Sequence, residues 1–147
     1  MKLRNPILAI TLLLFLGACG GGPVKRVWPP TASVQELSLL ADGSWRLLVR
    51  VQNYSNVPMT FDLVEASVEV GGKAIGKISK SLDLDVSPES ADVFETTLAP
   101  GSAGALAGKD FAYQLNGRIT SHDPKGDFPF EHSSRLSPVP GLPNTWR

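Results

Sequence analysis

The sequence predicts an all-β fold, an antiparallel β-sandwich of seven to eight strands. Three observations predict it. Apolar and polar residues alternate with period two through most of the chain after residue 33, as in strands with one buried face. Turn formers interrupt that alternation at short intervals, at Asp42-Gly43, Asn53 to Pro58, Gly71-Gly72 and Pro88-Glu89-Ser90. No convincing helix of ten residues follows the apolar run at the N-terminus. A closed barrel is the alternative architecture.

The elements follow in order. Leu37 and Leu39 share one face of a first strand, and Asp42-Gly43 marks a tight hairpin. The next strand sets Trp45, Leu47, Val49 and Val51 on one face and Arg46, Arg50 and Gln52 on the other, with Leu48 the exception. Arginine stems can lie along a sheet while their heads stay wet. After the Asn53 to Pro58 break, Met59, Phe61 and Leu63 share a face, and the apolar parity then flips to Val64, Ala66, Val68 and Val70. A one-residue slip would expose that whole set, so a bulge or bend is expected near Leu63-Val64. Beyond Gly71-Gly72, a strand runs through Ile75 and Ile78, followed by Leu82, Leu84 and Val86. Phe94, Thr96 and Leu98 face inward after the Pro88 turn. The Gly/Ala/Ser-rich stretch from Pro100 to Lys109 is expected to hold no more than a short helical turn. Phe111, Tyr113, Leu115, Gly117 and Ile119 form another inward set, and Phe128 and Phe130 open a last strand reaching Leu136. Pro138, Pro140 and Pro143 exclude a central strand in the tail, where Trp146 is a candidate anchor.

The N-terminus carries the targeting information. Lys2 and Arg4 precede an uncharged apolar run from Ile7 to Leu16, far short of the roughly 20 residues of a spanning helix. Basic head, short apolar core and small residues before a cut describe a signal peptide. Leu16-Gly17-Ala18-Cys19 closes the run and contains the single cysteine. The stretch resembles the lipobox of bacterial lipoproteins, which implies cleavage before Cys19, a diacylglyceryl thioether on its sulfur and acylation of the freed amine. Two or three acyl chains make such an anchor stable where one is marginal. Gly20, in place of the aspartate that retains lipoproteins at the inner membrane, favours the periplasmic face of the outer membrane in a two-membrane envelope. The expected partition is residues 1–18 signal peptide, 19–32 lipidated Gly/Pro-rich tether, 33–137 sandwich and 138–147 Pro-rich tail. From Cys19 to Ser33 the tether would reach up to about 45 Å at full extension. Trp28, within it, could rest at the membrane interface or fold back onto the domain, and the second is expected, since one Trp is not an aromatic belt.

Composition narrows the partners. Without Lys2 and Arg4 the chain carries 12 basic against 14 acidic residues, a formal charge of −2. That balance implies neither nucleic acid nor an anionic surface as a partner. With one cysteine, no internal disulfide is possible, and the fold stands on its core.

The middle of the chain reads Leu48-Val49-Arg50-Val51-Gln52-Asn53-Tyr54-Ser55-Asn56-Val57-Pro58-Met59. It resembles the signature of the second late embryogenesis abundant group, also described through the water stress and hypersensitive response domain. Asn53, Asn56 and Pro58 hold the matching turn positions, and Tyr54 stands where that pattern usually has proline. Val70 to Lys73, Pro88 to Leu98 and Tyr113 to Ile119 agree with the family in order, over about Val34 to Leu136. The resemblance implies an immunoglobulin- or fibronectin type III-like sandwich, an association with desiccation and stress, no enzymatic activity and no catalytic residues to carry over. Asparagine suits such a turn because it tolerates left-handed backbone and bonds its own chain, and Pro58 fixes the entry to the next strand. A structural role is therefore expected for all three.

Other candidate chemistry is weaker. Ser121-His122-Asp123 has the residue types of a hydrolase triad, but neighbours on an extended chain point to opposite sides. His122, Asp123, Asp127 and His132 would make a zinc set only if a hairpin tip brought them together, and Asp123 to Asp127 is also a turn sequence. Asp83, Asp85, Glu89 and Asp92 alternate like an exposed strand face rather than a calcium loop. Asn53-Tyr54-Ser55 matches a glycosylation acceptor, a modification that a bacterial lipoprotein normally lacks. No cofactor is expected. The expected function is that of a non-enzymatic, lipid-anchored envelope protein whose partners are the membrane, through Cys19, and envelope proteins or lipids. An accessory subunit of an envelope assembly or lipid-transport complex is the alternative.

Overall fold

A computed structural model describes residues 21–100 and 108–147. The signal segment, Cys19 and most of the Gly/Ala/Ser-rich stretch expected to hold a helical turn lie outside the described residues. The described residues form eight strands: β1 (Thr31–Leu39), β2 (Trp45–Gln52), β3 (Met59–Val70), β4 (Lys73–Val86), β5 (Ala91–Leu98), β6 (Phe111–Asp123), β7 (Lys125–Leu136) and β8 (Thr145–Trp146). They form two four-stranded antiparallel sheets, ordered β5-β2-β1-β8 and β4-β3-β6-β7. Both sheets are open, so the architecture is a sandwich and not the alternative barrel. Among the described residues, no helix is long and apolar enough to cross a membrane.

The alternation read from the sequence makes the core. Trp45, Leu47, Val49 and Val51 of β2 are buried in one cluster with Phe61, Val64 and Val68 of β3 and Leu115 and Ile119 of β6. The parity flip in β3 is a bulge: register shifts on both sides of the strand between Phe61 and Leu63, with Asp62 the extra residue against β6 and β4 carrying the extra residue, at Leu82-Asp83, on the other side. This irregularity lets Met59 and Phe61 face the same core as Val64, Ala66, Val68 and Val70, while Leu63, expected on the face of Met59 and Phe61, is only half-buried outside that core. A second bulge, at Ile75, explains why Ile75 and Ile78 are both buried although three positions apart. In β1 the register shifts between Val34 and Glu36, so Ala32 and Val34 join Leu37 in the core, and Leu39, on the same face as Leu37, packs against it half-buried.

The strand reaching Leu136 is not the last. Thr145 and Trp146 pair with Ser38 and Leu37, so the tail returns to the edge of the first sheet. An edge pairing is compatible with nearby prolines because only one side of the strand needs donors. Trp146 is buried, edge-on to Phe111 with ring centroids 5.6 Å apart and tilted against Trp45 at 6.3 Å. Its indole N–H donates to Lys109 O at 3.2 Å. Arg147 beside it reaches Glu36 at 2.8 and 2.7 Å. Burial of a large aromatic dominates an exposed ion pair. Trp146→Ala is therefore expected to cost about 3 kcal/mol, and Arg147→Ala less than about 1 kcal/mol, compared by urea midpoints at constant slope.

Candidate functional site

At one end of the sandwich, the β2–β3 crossing (residues 53–58) meets the β4–β5 turn (residues 87–90) and the chain leading into β1. Asn53 is the hub. Its side chain is fully buried. The amide nitrogen donates to the carbonyls of Val57 (2.9 Å), Val86 (3.1 Å) and Ser87 (3.1 Å). The amide oxygen accepts from Ser55 N at 2.8 Å, and Asn53 N donates to Ser90 O at 2.8 Å. One residue thus ties both crossings together, which only an amide, donor and acceptor at once, can do in that space. This use of the side chain leaves it no freedom as a sugar acceptor.

Ser55, also fully buried, extends the hub to the tether. Its hydroxyl accepts from Trp28 N at 2.9 Å and lies 3.3 Å from both Trp28 O and Met59 Sδ. Asn56 is exposed and clasps the same segment: Arg26 N donates to its Oδ1 at 2.7 Å and its Nδ2 donates to Val24 O at 2.8 Å. Asn56 N completes the pairing with Arg26 O at 3.2 Å. Pro58 follows, exposed, and delivers the chain to Met59. Residues 24–28 are therefore part of the folded body, and β1 begins at Thr31, inside the segment read as tether. The expectation that Trp28 folds back holds for its backbone, bonded to Ser55, and not for its ring, which stays 56% exposed. Sequence reasoning found Asn53, Asn56 and Pro58 as turn formers and missed Ser55 and the tether pairing. A contact across some thirty residues leaves no local signal.

The other candidates do not assemble. Ser121 is buried, and its hydroxyl donates within its own turn, 2.8 Å from Pro124 O and 3.3 Å from Asp123 O. His122, on the opposite face of β6, is exposed, and its Nδ1 meets Asp62 Oδ1 across the β3 bulge. The Asp123–Pro124 peptide at the hairpin tip is cis. In the β6–β7 register His122 faces Lys125 and Leu115 faces His132, which separates the two imidazoles by about 23 Å along the sheet. No group of three metal-ligating side chains converges among the described residues. Asp83 and Asp85 lie exposed on β4, Asp85 accepting from the Thr60 hydroxyl at 2.6 Å, and Asp92 bonds the adjacent Val93 N.

The hydrogen bond with Asp62 holds the His122 imidazole above its ordinary value of 6.5, opposed by desolvation and helped by the charges of Asp62, Asp123 and Asp83. A raised folded value means that the pair stabilises the fold below the ordinary value and stops doing so as pH rises through the folded one. Both groups are exposed, so the gain is small. In Asp62→Asn, the His122 titration followed by NMR is expected to move down toward the ordinary imidazole range, with the urea midpoint little changed.

No family model matches the sequence, and no curated protein matches it. Similarity appears in structure. A solution structure of an Arabidopsis thaliana protein superposes with a TM-score of 0.58 at 13% identity, over 86% of this chain and 93% of its own. At that identity, the likeness establishes the sandwich fold. A candidate late embryogenesis abundant protein solved in solution gives 0.44 at 16% identity, over 92% of this chain and 82% of its own. A protein from Archaeoglobus fulgidus gives 0.42 at 13% identity, over 78% and 98%.

Proposed function

We propose that the protein is a non-enzymatic interaction module of the cell envelope, held to the membrane by acyl chains on Cys19 and working through its surface in stress or desiccation tolerance. The observation that carries the non-catalytic reading is how the buried polar groups are used. Among the described residues no buried side-chain nitrogen or oxygen lacks a partner. Asn53, Ser55 and Ser121 spend theirs on turns of their own chain. The lipid anchor rests on Leu16-Gly17-Ala18-Cys19, and the stress association on the resemblance around Asn53, Asn56 and Pro58. The position at the periplasmic face of the outer membrane rests on Gly20.

Crosslinking in intact cells, followed by purification of the protein, tests the function. A diffuse set of envelope proteins, growing on drying, is the expected result. A single stoichiometric partner would overturn it in favour of an accessory subunit of an envelope complex.

A further inference from the structure

The end of the sandwich built around Asn53 leaves several large side chains bare. Val24 is 70% exposed, Trp28 56%, Tyr54 53% and Val27 45%. A single exposed apolar residue is ordinary, whereas a group of them on one junction marks an interaction surface. The backbone that carries this group is fixed. Asn56 clasps Val24 and Arg26, Ser55 clasps Trp28, and Tyr54 immediately precedes Ser55. Lys25 and Arg26 lie within the same segment. Glu89, whose N–H donates to Ser55 O at 3.0 Å, and Asp123 and Lys125 at the β6–β7 tip add charges of both signs at this end.

Chain length identifies the occupant. On the proposed acylation of Cys19, on which this inference rests, only residues 20–23 separate the anchor from Val24. That span reaches about 17 Å at most, against the 45 Å of a tether running free to Ser33. A lipid-modified sulfur sits at the headgroup level, so the bare end cannot stand far from the bilayer. Trp and Tyr rings favour that level because one edge is apolar and the other polar. One Trp makes no belt, but Tyr54 joins Trp28 on a rigid support.

We propose that this end of the sandwich is a bilayer-contact surface. Trp28 and Tyr54 sit among the lipid headgroups, Val24 and Val27 face the acyl boundary, and Lys25 and Arg26 face phosphate. The domain is thereby docked on the membrane in one orientation. With acidic groups close by, anionic lipid contributes a minor share.

The test reads tryptophan emission in vesicles containing brominated lipid. Trp45 and Trp146 are buried, so Trp28→Phe identifies the Trp28 component without loss of fold. In the acylated protein, its Cys19 modification verified by mass, brominated lipid is expected to remove about half of the Trp28 emission. The mature chain bearing Cys19→Ser, mixed with phosphatidylcholine–phosphatidylglycerol vesicles, is expected to show the same quenching at high lipid concentration, and Val24→Ser with Trp28→Ala to abolish its binding. Acylated, vesicle-bound protein with unquenched Trp28 overturns the contact surface and leaves the anchor standing. An unmodified Cys19 with quenched Trp28 in the Cys19→Ser chain overturns the anchor and leaves the surface standing.

Discussion

Asn53→Asp is expected to destabilise the protein by about 4 kcal/mol, although it changes the side-chain shape hardly at all. The native amide donates to three carbonyls while its oxygen takes the Ser55 N–H. A carboxylate keeps only the last of these. It also turns an oxygen toward the carbonyls of Val57, Val86 and Ser87 in a site closed to water. Protonation relieves part of that repulsion, so the deficit should shrink as the buffer is made acidic. Asn53→Ala is expected to cost less, about 3 kcal/mol, because it leaves orphaned groups without adding charge. Asn56→Ala, at an exposed position, should cost under about 1 kcal/mol. Its effect is local: the Arg26 amide should lose protection in hydrogen exchange while the strands keep theirs. The order Asp, then Ala at 53, then Ala at 56 in urea melts checks the hub.

Gly117→Ala is expected to cost about 4 kcal/mol or to prevent folding. Gly117 stands opposite Ala66 in the β3–β6 pairing. A Cβ there would run into the Glu65 carbonyl oxygen and lie 2.6 Å from the Ala66 Cα. These are backbone atoms of a central strand, fixed by β4 on the other side. No rotamer change relieves the clash, so the two strands must separate or β6 must bulge. By contrast, Gly71→Ala pays only for its positive φ of 58° and meets nothing within 4 Å. Its cost should be about 1 kcal/mol. Comparing the two by thermal melts separates close packing from turn conformation.

The sandwich was legible where alternation is unbroken. β2 keeps one parity for its whole length, and every second residue from Trp45 to Val51 is buried. The β3 flip was legible because both halves are strongly apolar, so the slip between them had to be absorbed by a bulge. The β1 bulge left no such mark, since Gln35-Glu36 interrupts the pattern with polar residues. β8 was hidden because two residues give no period, and only the docking of Trp146 makes them a strand. At the candidate site, Asn53 and Asn56 announced a turn through residue type alone. Their partners Val24, Arg26, Val86 and Ser87 come from distant parts of the chain and are chosen by the fold. Ser121-His122-Asp123 is the converse, a suggestive string whose members the strand geometry sends apart.

The central claim is that an all-strand body is fastened to a bilayer through one sulfur at its start. The most direct test is the mass of the N-terminal peptide released from protein purified out of native membranes. The account predicts a chain beginning at Cys19, with a diacylglyceryl group on the sulfur and an acyl group on the amine. A peptide that begins elsewhere, or a Cys19 with a free thiol, would contradict it.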